Sequence, residues 1–341
     1  MKIKNVLIIV GLGNYVNASN RLYRQIKALH LSMDIVIIHE LALYEIFNKE
    51  DISTKYLNDS HRGFGFWMWK PVIVNHYFKK KYNQIIYIDA GSEVIKKPFK
   101  NLVHWFTNST HSMILSPAGH NMEQYTKMDT IVNFFDETEW KNFKSFRMFQ
   151  AGVLFLKRNS DITNLFSTLT QLIKSNRVDL FDDVNSYTTN SPYFLDHRHD
   201  QSVFSLMLYK LGVKDNFVLF PSDLSPPFHN EKFNSFPPIM CLRNKSFLSY
   251  RQMYAMYDGH NKFPVFLKLM GKIINALLKK ITMFHGLADY IFIKICFIWG
   301  YIFYRKLYLK HNKIYNNKEE YDKWLTILQF NKQELIEFNQ L

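Results

Sequence analysis

The first 250 residues alternate short apolar runs with longer stretches of helical spacing. Six of the runs read as strands: Asn5–Val10, Asp34–His39, Gln84–Ile88, Ser112–Ser116, Gly152–Leu156 and Phe217–Phe220. Between the first two, Ala18–Leu29 places Leu22, Ile26 and Leu29 on one helical face. Val203–Leu211 repeats the pattern with Phe204, Leu208 and Leu211, after the polar stretch His197–Gln201. Strands alternating with helices predict an α/β domain around a mostly parallel central sheet. Such sheets bind ligands beyond the carboxyl ends of their strands, so residues just after strands are the first candidates for chemistry.

Ser222–Pro238 carries four prolines and reads as loop. Beyond Pro264 the pattern changes. Phe266–Phe284 interleaves Leu, Ile and Met with Lys, and Tyr290–Tyr304 is almost wholly apolar apart from Lys294. Those fifteen residues fall short of the roughly 20 a membrane-spanning helix needs. We place a boundary there, giving a domain over 1–264 and a helical, basic region over 265–341.

The chain has 341 residues, 47% of them apolar, with 30 Phe and 20 Tyr, so it can bury a large core. Twelve Gly and ten Pro argue against a turn-dense β architecture. Two cysteines, Cys241 and Cys296, build neither a disulfide framework nor a four-thiolate zinc site. The net charge of +14 is concentrated: ten basic residues lie between Lys262 and Lys313 against the single acid Asp289. Their apolar neighbours favour a lipid surface over nucleic acid as the partner. Residues 263–311 are therefore expected to lie on a membrane face as amphipathic helices, with a dimer interface as the rival role. Met1–Val10 is too short an apolar run for a secretory signal and reads as a buried strand, which predicts a cytoplasmic protein.

Four runs are candidates for chemistry. Gly11-Leu12-Gly13-Asn14 follows the first strand, but Val16 stands where a dinucleotide fingerprint needs its third glycine. Asp89-Ala90-Gly91 ends a strand, where a carboxylate holds a metal ion or a ribose hydroxyl, or else caps its own turn. Glu93 follows, with a solvated role the simplest. His197-Arg198-His199-Asp200-Gln201 precedes a helix, where Asp200 is either a cap or part of a sugar or nucleophile site. In His61-Arg62-Gly63-Phe64-Gly65-Phe66-Trp67-Met68-Trp69-Lys70-Pro71, two glycines and charged flanks mark a segment that approaches a ligand. His229, Cys241 and His260 are isolated, and no GxSxG or GxxxxGK[ST] motif occurs.

In order, these runs resemble bacterial GT-A glycosyltransferases of capsule and O-antigen assembly. Those proteins carry RGxGxWxWKP, YxDAG and RxDQS segments, matched here by Arg62–Pro71, Tyr87–Gly91 and Arg198–Ser202. The resemblance spans roughly residues 1–262. A wider similarity is to glycosyltransferase family 8, the glycogenin and lipopolysaccharide-galactosyltransferase group, through Gly13–Tyr15, Tyr87–Gly91, Phe149–Val153, Asp200-Gln201 and Tyr257–Pro264.

The resemblance implies a retaining transferase that moves a hexose-type sugar from a nucleotide donor, UDP-linked, to a polyprenol-linked glycan acceptor. It implies Asp200 and Gln201 as catalytic. Asn14, Tyr15, Arg62, Lys70, Asp89, Ala90, Gly91, Gln150, Ala151, Gly152, His199 and Lys262 would bind the donor. Asp89 and His260 would hold a divalent cation, Mn2+ or Mg2+. Two departures bear on that cation: Gly91 replaces the second Asp of the metal motif, and Tyr257 replaces its late His. Lys70, Arg198, Arg243 and Lys262 are cations that would neutralise a departing diphosphate instead. Two rival classes remain: a nucleotide-dependent oxidoreductase or epimerase on a Rossmann fold, which would want a Tyr-x-x-x-Lys pair directly after the fourth strand that this chain lacks there, and a non-catalytic membrane-surface protein.

Overall fold

The computed structural model describes residues 4–94, 96–144, 147–212, 217–219, 239–241 and 245. The boundary near 264, the basic tail, Ser222–Pro238 and the candidates His229, Arg243, Tyr257, His260, Lys262 and Cys296 lie outside these residues.

All six expected strands form, and they join one sheet. Its members are β1 (Asn5–Val10), β2 (Asp34–Ile38), β3 (Gln84–Asp89), β5 (Met113–Leu115), β8 (Val153–Lys157) and β9 (Phe217–Leu219), in the order β2-β1-β3-β8-β5-β9. Two short ribbons flank it: β4 (Ser92–Val94) with β10 (Ile239–Cys241), and β6 (Pro117–Asn121) with β7 (Arg147–Phe149). The pairings β1–β2, β1–β3 and β5–β9 are parallel, whereas β8 runs antiparallel to both β3 and β5. One reversed strand thus makes the sheet mixed.

The reversal changes which residues meet. In the parallel strands the carboxyl ends reach the ligand edge, but β8 presents its amino end there. Gln150, Ala151 and Gly152, which precede β8, therefore come to lie beside Asp89 at the end of β3, and the Asp89 amide donates to the Gly152 carbonyl at 2.8 Å.

Strict alternation packs both faces. Val6, Ile8 and Val10 of β1, Ile85 and Tyr87 of β3, and Leu154 and Leu156 of β8 enter one core. Leu7, Ile9, Ile86, Ile88, Val153 and Phe155 enter the other. The second core is closed by α1 (Val16–Lys27), through Ala18, Leu22 and Ile26, and by a helix over Lys96–Asn108, through Phe99, Leu102, Val103 and Phe106. Leu29, two residues past α1, is buried there too. The first core is closed by α2 (Glu40–Lys49), α3 (Trp69–Lys79), α5 (Ser160–Lys174) and α6 (His199–Leu211), where we number the Lys96–Asn108 helix α4. Trp69 through Phe78 are all buried, because α3 lies between the sheet, α2 and α5.

Helix α6 begins earlier than its apolar spacing predicts. His199, Asp200 and Gln201 form its first turn, and Arg198 occupies the cap position without a side-chain cap bond. Among the described residues no helix is long and apolar enough to cross a membrane.

Candidate active site

The sheet's order turns back on itself at β1, with β2 on one side and β3 on the other. Beyond that point, where open α/β sheets bind ligands, lies a cleft of about 550 Å³. Its lining includes Asn14, Tyr15, Arg62, Lys70, Asp89, Ala90, Gly91, Gln150, Ala151, Gly152, His199, Asp200 and Gln201. Every residue expected to be catalytic or to bind the donor, within the described part of the chain, thus reaches one cavity, whereas His197 is buried away from it between Lys127 and Leu180.

Beyond β1 the chain must pass close to α1. A Cβ on Gly11 would lie 2.2 Å from Ser19 Oγ, and Gly13 has φ +50. These glycines serve packing and a tight turn, which presents Asn14 and Tyr15 to the cleft. Beyond β3, the turn Ala90–Ser92 is held from below by Arg21. This buried guanidinium donates to the Ala90 carbonyl at 3.2 Å and the Ser92 carbonyl at 3.0 Å. Glu93, expected to be solvated, is instead buried 3.8 Å from Arg21 Nε. Burial depresses the Arg21 pKa, and Glu93 works against that.

The segment between Arg62 and Trp69 has an unusual backbone. Gly63, Phe64, Gly65, Phe66 and Trp67 have φ of +64, +58, +96, +55 and +56, a left-handed turn five residues long. L-residues disfavour this conformation by about 1–2 kcal/mol each, so packing must hold it. A Cβ on Gly63 would sit 2.2 Å from the Trp67 indole, and Trp69 Nε1 donates to the Gly63 carbonyl at 3.0 Å. The turn delivers Trp67 and Trp69 to the cleft wall and starts α3 so that Lys70 enters the floor. Pro71 is tolerated in that first turn.

Lys70 organises the floor. Its Nζ lies 2.9 Å from Asp200 Oδ2, 3.3 Å from Asp89 Oδ1 and 3.3 Å from the Ala151 carbonyl oxygen. Burial alone would lower the Lys70 pKa, but the two carboxylates outweigh it and hold the ammonium charged. Asp200 is pushed upward, by burial first, with Lys70 opposing. The Tyr87 hydroxyl also donates to Asp89 Oδ1. Asp200 is therefore no helix cap, and Asp89 caps no turn of its own: both carboxylates turn to Lys70. The ammonium hydrogen-bonds the Ala151 carbonyl and sits in ion-pair contact with both carboxylates, so Lys70 neutralises the acids before any diphosphate arrives.

His199 and Arg62 are also committed to protein partners. The His199 ring, at φ +48, donates through Nδ1 to the Phe181 carbonyl at 2.7 Å and packs on Phe66 and Trp67. Arg62 pairs with Asp183 at 3.6 Å and Asp196 at 3.7 Å, tying the left-handed turn to the loop before α6. Arg198 is different. It lines the cleft, its guanidinium lies 4.8 Å over the Tyr125 ring, and no described residue forms an ion pair with it.

A divalent cation fits the described residues poorly. They contain no group of three His, Cys, Asp or Glu able to hold a metal, position 91 is glycine, and the oxygens that Asp89 and Asp200 would share face Lys70. Three residues of consequence escaped the sequence reading: Asp59 and Lys245, which line the cleft, and Arg21. Only Arg21 left a signal, as a cation beside Leu22 on the buried face of α1.

No family model matches the chain, and no curated protein does either. Among solved structures, mouse xyloside xylosyltransferase 1 is similar at 14% identity and TM-score 0.36, over 64% of this chain and 85% of that one. The bifunctional glycosyltransferase WbbM is similar at 13% and 0.36, over 65% of this chain and 39% of its own. The glycosyltransferase GlyE of Streptococcus pneumoniae is similar at 12% and 0.35, over 73% and 55%. Likeness at this level carries no functional argument; the chemistry of the cleft has to supply it.

Proposed function

We propose that this protein is a glycosyltransferase that moves a hexose-type sugar from a nucleotide donor, UDP-linked, to a glycan acceptor in bacterial surface polysaccharide assembly, with retention of configuration. The observation that supports this reading is convergence. Segments around residues 14, 65, 89, 151 and 200, far apart in sequence, line one cleft at the sheet's switch point, and its floor holds two carboxylates bridged by one lysine.

In this reading Asn14 and Tyr15 hold the base, and Asp89 meets the ribose or diphosphate end. Gln150, Asp200 and Gln201 surround the sugar. As the bond from the anomeric carbon to the diphosphate oxygen breaks, positive charge grows on the sugar. Asp200, buried and held by Lys70, places a fixed negative charge beneath it, where low dielectric strengthens the interaction. The acceptor hydroxyl adds to the same carbon and gives its proton to the departing diphosphate oxygen, while Arg198 faces the departing phosphates. The Rossmann oxidoreductase alternative fits less well, since β8 is reversed within the sheet and Gly11 is spent on Ser19.

The test is a melting-temperature panel with UDP, GDP and dTDP, followed by transfer assays. Ligand binding should raise the melting temperature by linkage. Asp200→Asn should abolish transfer and keep the nucleotide shift. A variant retaining more than about a tenth of the wild-type rate would remove Asp200 from catalysis. From composition alone, residues 263–311 are proposed to dock on anionic membrane and bring the enzyme to a polyprenol-linked acceptor. Failure of the full chain to float with anionic vesicles would end that part of the reading.

A further inference from the structure

The family that this chain resembles uses a divalent cation between its acidic motif and the donor's diphosphate. We infer that Lys70 stands in for that cation here, so that the cleft binds a nucleoside diphosphate without metal. The inference rests on the glycosyltransferase reading above and names how its donor site is charged.

Four observations carry it. First, the place is filled. Lys70 Nζ touches Asp200 Oδ2 at 2.9 Å, Asp89 Oδ1 at 3.3 Å and the Ala151 carbonyl oxygen at 3.3 Å. A metal ion bridging the two carboxylates would have to evict a buried ammonium whose side chain starts inside α3. An ion beside that ammonium would instead meet like-charge repulsion at short range.

Second, the remaining donors are few. Gly91 offers no ligand, and the Gly152 backbone backs so closely on Asp89 Oδ2 that a Cβ there would lie 2.8 Å away. Third, no three-ligand group exists among the described residues. Fourth, the cleft carries cations of its own for the phosphates. Arg198 is stacked at 4.8 Å on Tyr125 with no ion-pair partner among the described residues, and Lys245 Nζ lies 5.3 Å over the Tyr15 ring. Stacking fixes both charges while leaving their protons for a ligand. The two tasks that one divalent ion performs elsewhere, holding the acids and meeting the diphosphate, are divided here between Lys70 and this second pair.

The experiment is calorimetric titration of UDP, GDP and dTDP into the full-length protein, once in EDTA and once in Mn2+. At least one nucleotide should bind with a dissociation constant that differs by less than about threefold between the two conditions. Binding that appears only with Mn2+, or tightens about tenfold or more, overturns the inference and leaves the nucleotide reading intact. Absence of binding by all three in both conditions overturns the nucleotide reading, and the inference falls with it.

Electron paramagnetic resonance supplies a second readout without nucleotide. Wild-type protein should show free Mn2+ alone, and Lys70→Met should gain a bound population, because Asp89 and Asp200 lose their internal cation. Bound Mn2+ at this site in the wild type, or a folded Lys70→Met protein that binds none, overturns the assignment of the seat. Should Lys70→Met fail to fold, the wild-type arms decide alone.

Discussion

Gly152 and Asp89 are in such close contact that a Cβ on the glycine would lie 2.8 Å from Asp89 Oδ2, while its carbonyl accepts the Asp89 amide at 2.8 Å. The first residue before a reversed strand thus fixes the last residue of its neighbour. Gly152→Ala is expected to push the Asp89 carboxylate off Lys70 and to lower transfer by about a hundredfold, the order expected for a misplacement near 1 Å. Steady-state rates, read beside an almost unchanged melting temperature, check this. Wild-type turnover would show that Asp89 needs no fixed position.

Removing Lys70 leaves the buried Asp200 carboxylate without its cation and beside the half-buried Asp89. Lys70→Met should therefore destabilise the fold by about 3–5 kcal/mol, the usual result of breaking one side of a buried ion pair. Adding Asp200→Asn to that variant should recover part of the loss. Urea unfolding of the two single variants and the double variant gives the coupling. Simple additivity would mean that the pair does not act as a unit.

His197 makes stability depend on pH. Burial, with help from His199 and Lys127, holds its pKa down to about 3. Its ring accepts from the Lys127 amide and donates to the Leu180 carbonyl, so the fold keeps it neutral. The unfolded chain binds a proton below the ordinary histidine value near 6.5, and the folded chain does not until about 3. Stability is therefore full above about pH 6.5 and falls on acidification by about 1.4 kcal/mol per unit for this one group. Urea midpoints at pH 7.5, 6 and 5 measure the slope, and His197→Gln should flatten it. An equal slope in the variant would assign the pH dependence to other groups.

Gly65 has φ +96, and a Cβ there would approach the Tyr56 carbonyl to 2.9 Å. Gly65→Ala should destabilise by about 1–3 kcal/mol through backbone strain. It should also slow transfer, since the same turn sets the start of α3 and with it Lys70. Thermal unfolding and rate measurements on one preparation separate the two effects. A loss of stability at unchanged rate would detach the turn from the site.

Much of this architecture is legible because β1 and β3 are buried on both faces, which leaves long unbroken apolar runs in the sequence. The direction of β8 is not legible, since alternating residues read the same in either orientation. Glu93 misleads for a related reason: its partner Arg21 lies on another element, and local pattern cannot show that pairing. Asp200 resembles a helix cap in sequence, yet Lys70 claims its carboxylate across the cleft floor. The segment Gly63–Trp67 announces something unusual through its two glycines, but nothing in Phe64, Phe66 or Trp67 states the hand of the turn.

That hand has a consequence in stereochemistry. From Gly63 to Trp67 the backbone follows the path natural to mirror-image amino acids. A semisynthetic protein with D-alanine at Gly65 should tolerate the position better than the genetically encoded L-alanine variant. It would also lose the conformational freedom that glycine retains when unfolded. Ribosomal synthesis offers glycine as its only achiral option, and two of the five positions use it. At the other three, L-residues hold a backbone that disfavours them while Phe64 and Trp67 line the cleft and Phe66 stacks on His199, so this wall presents its rings at the expense of its own backbone.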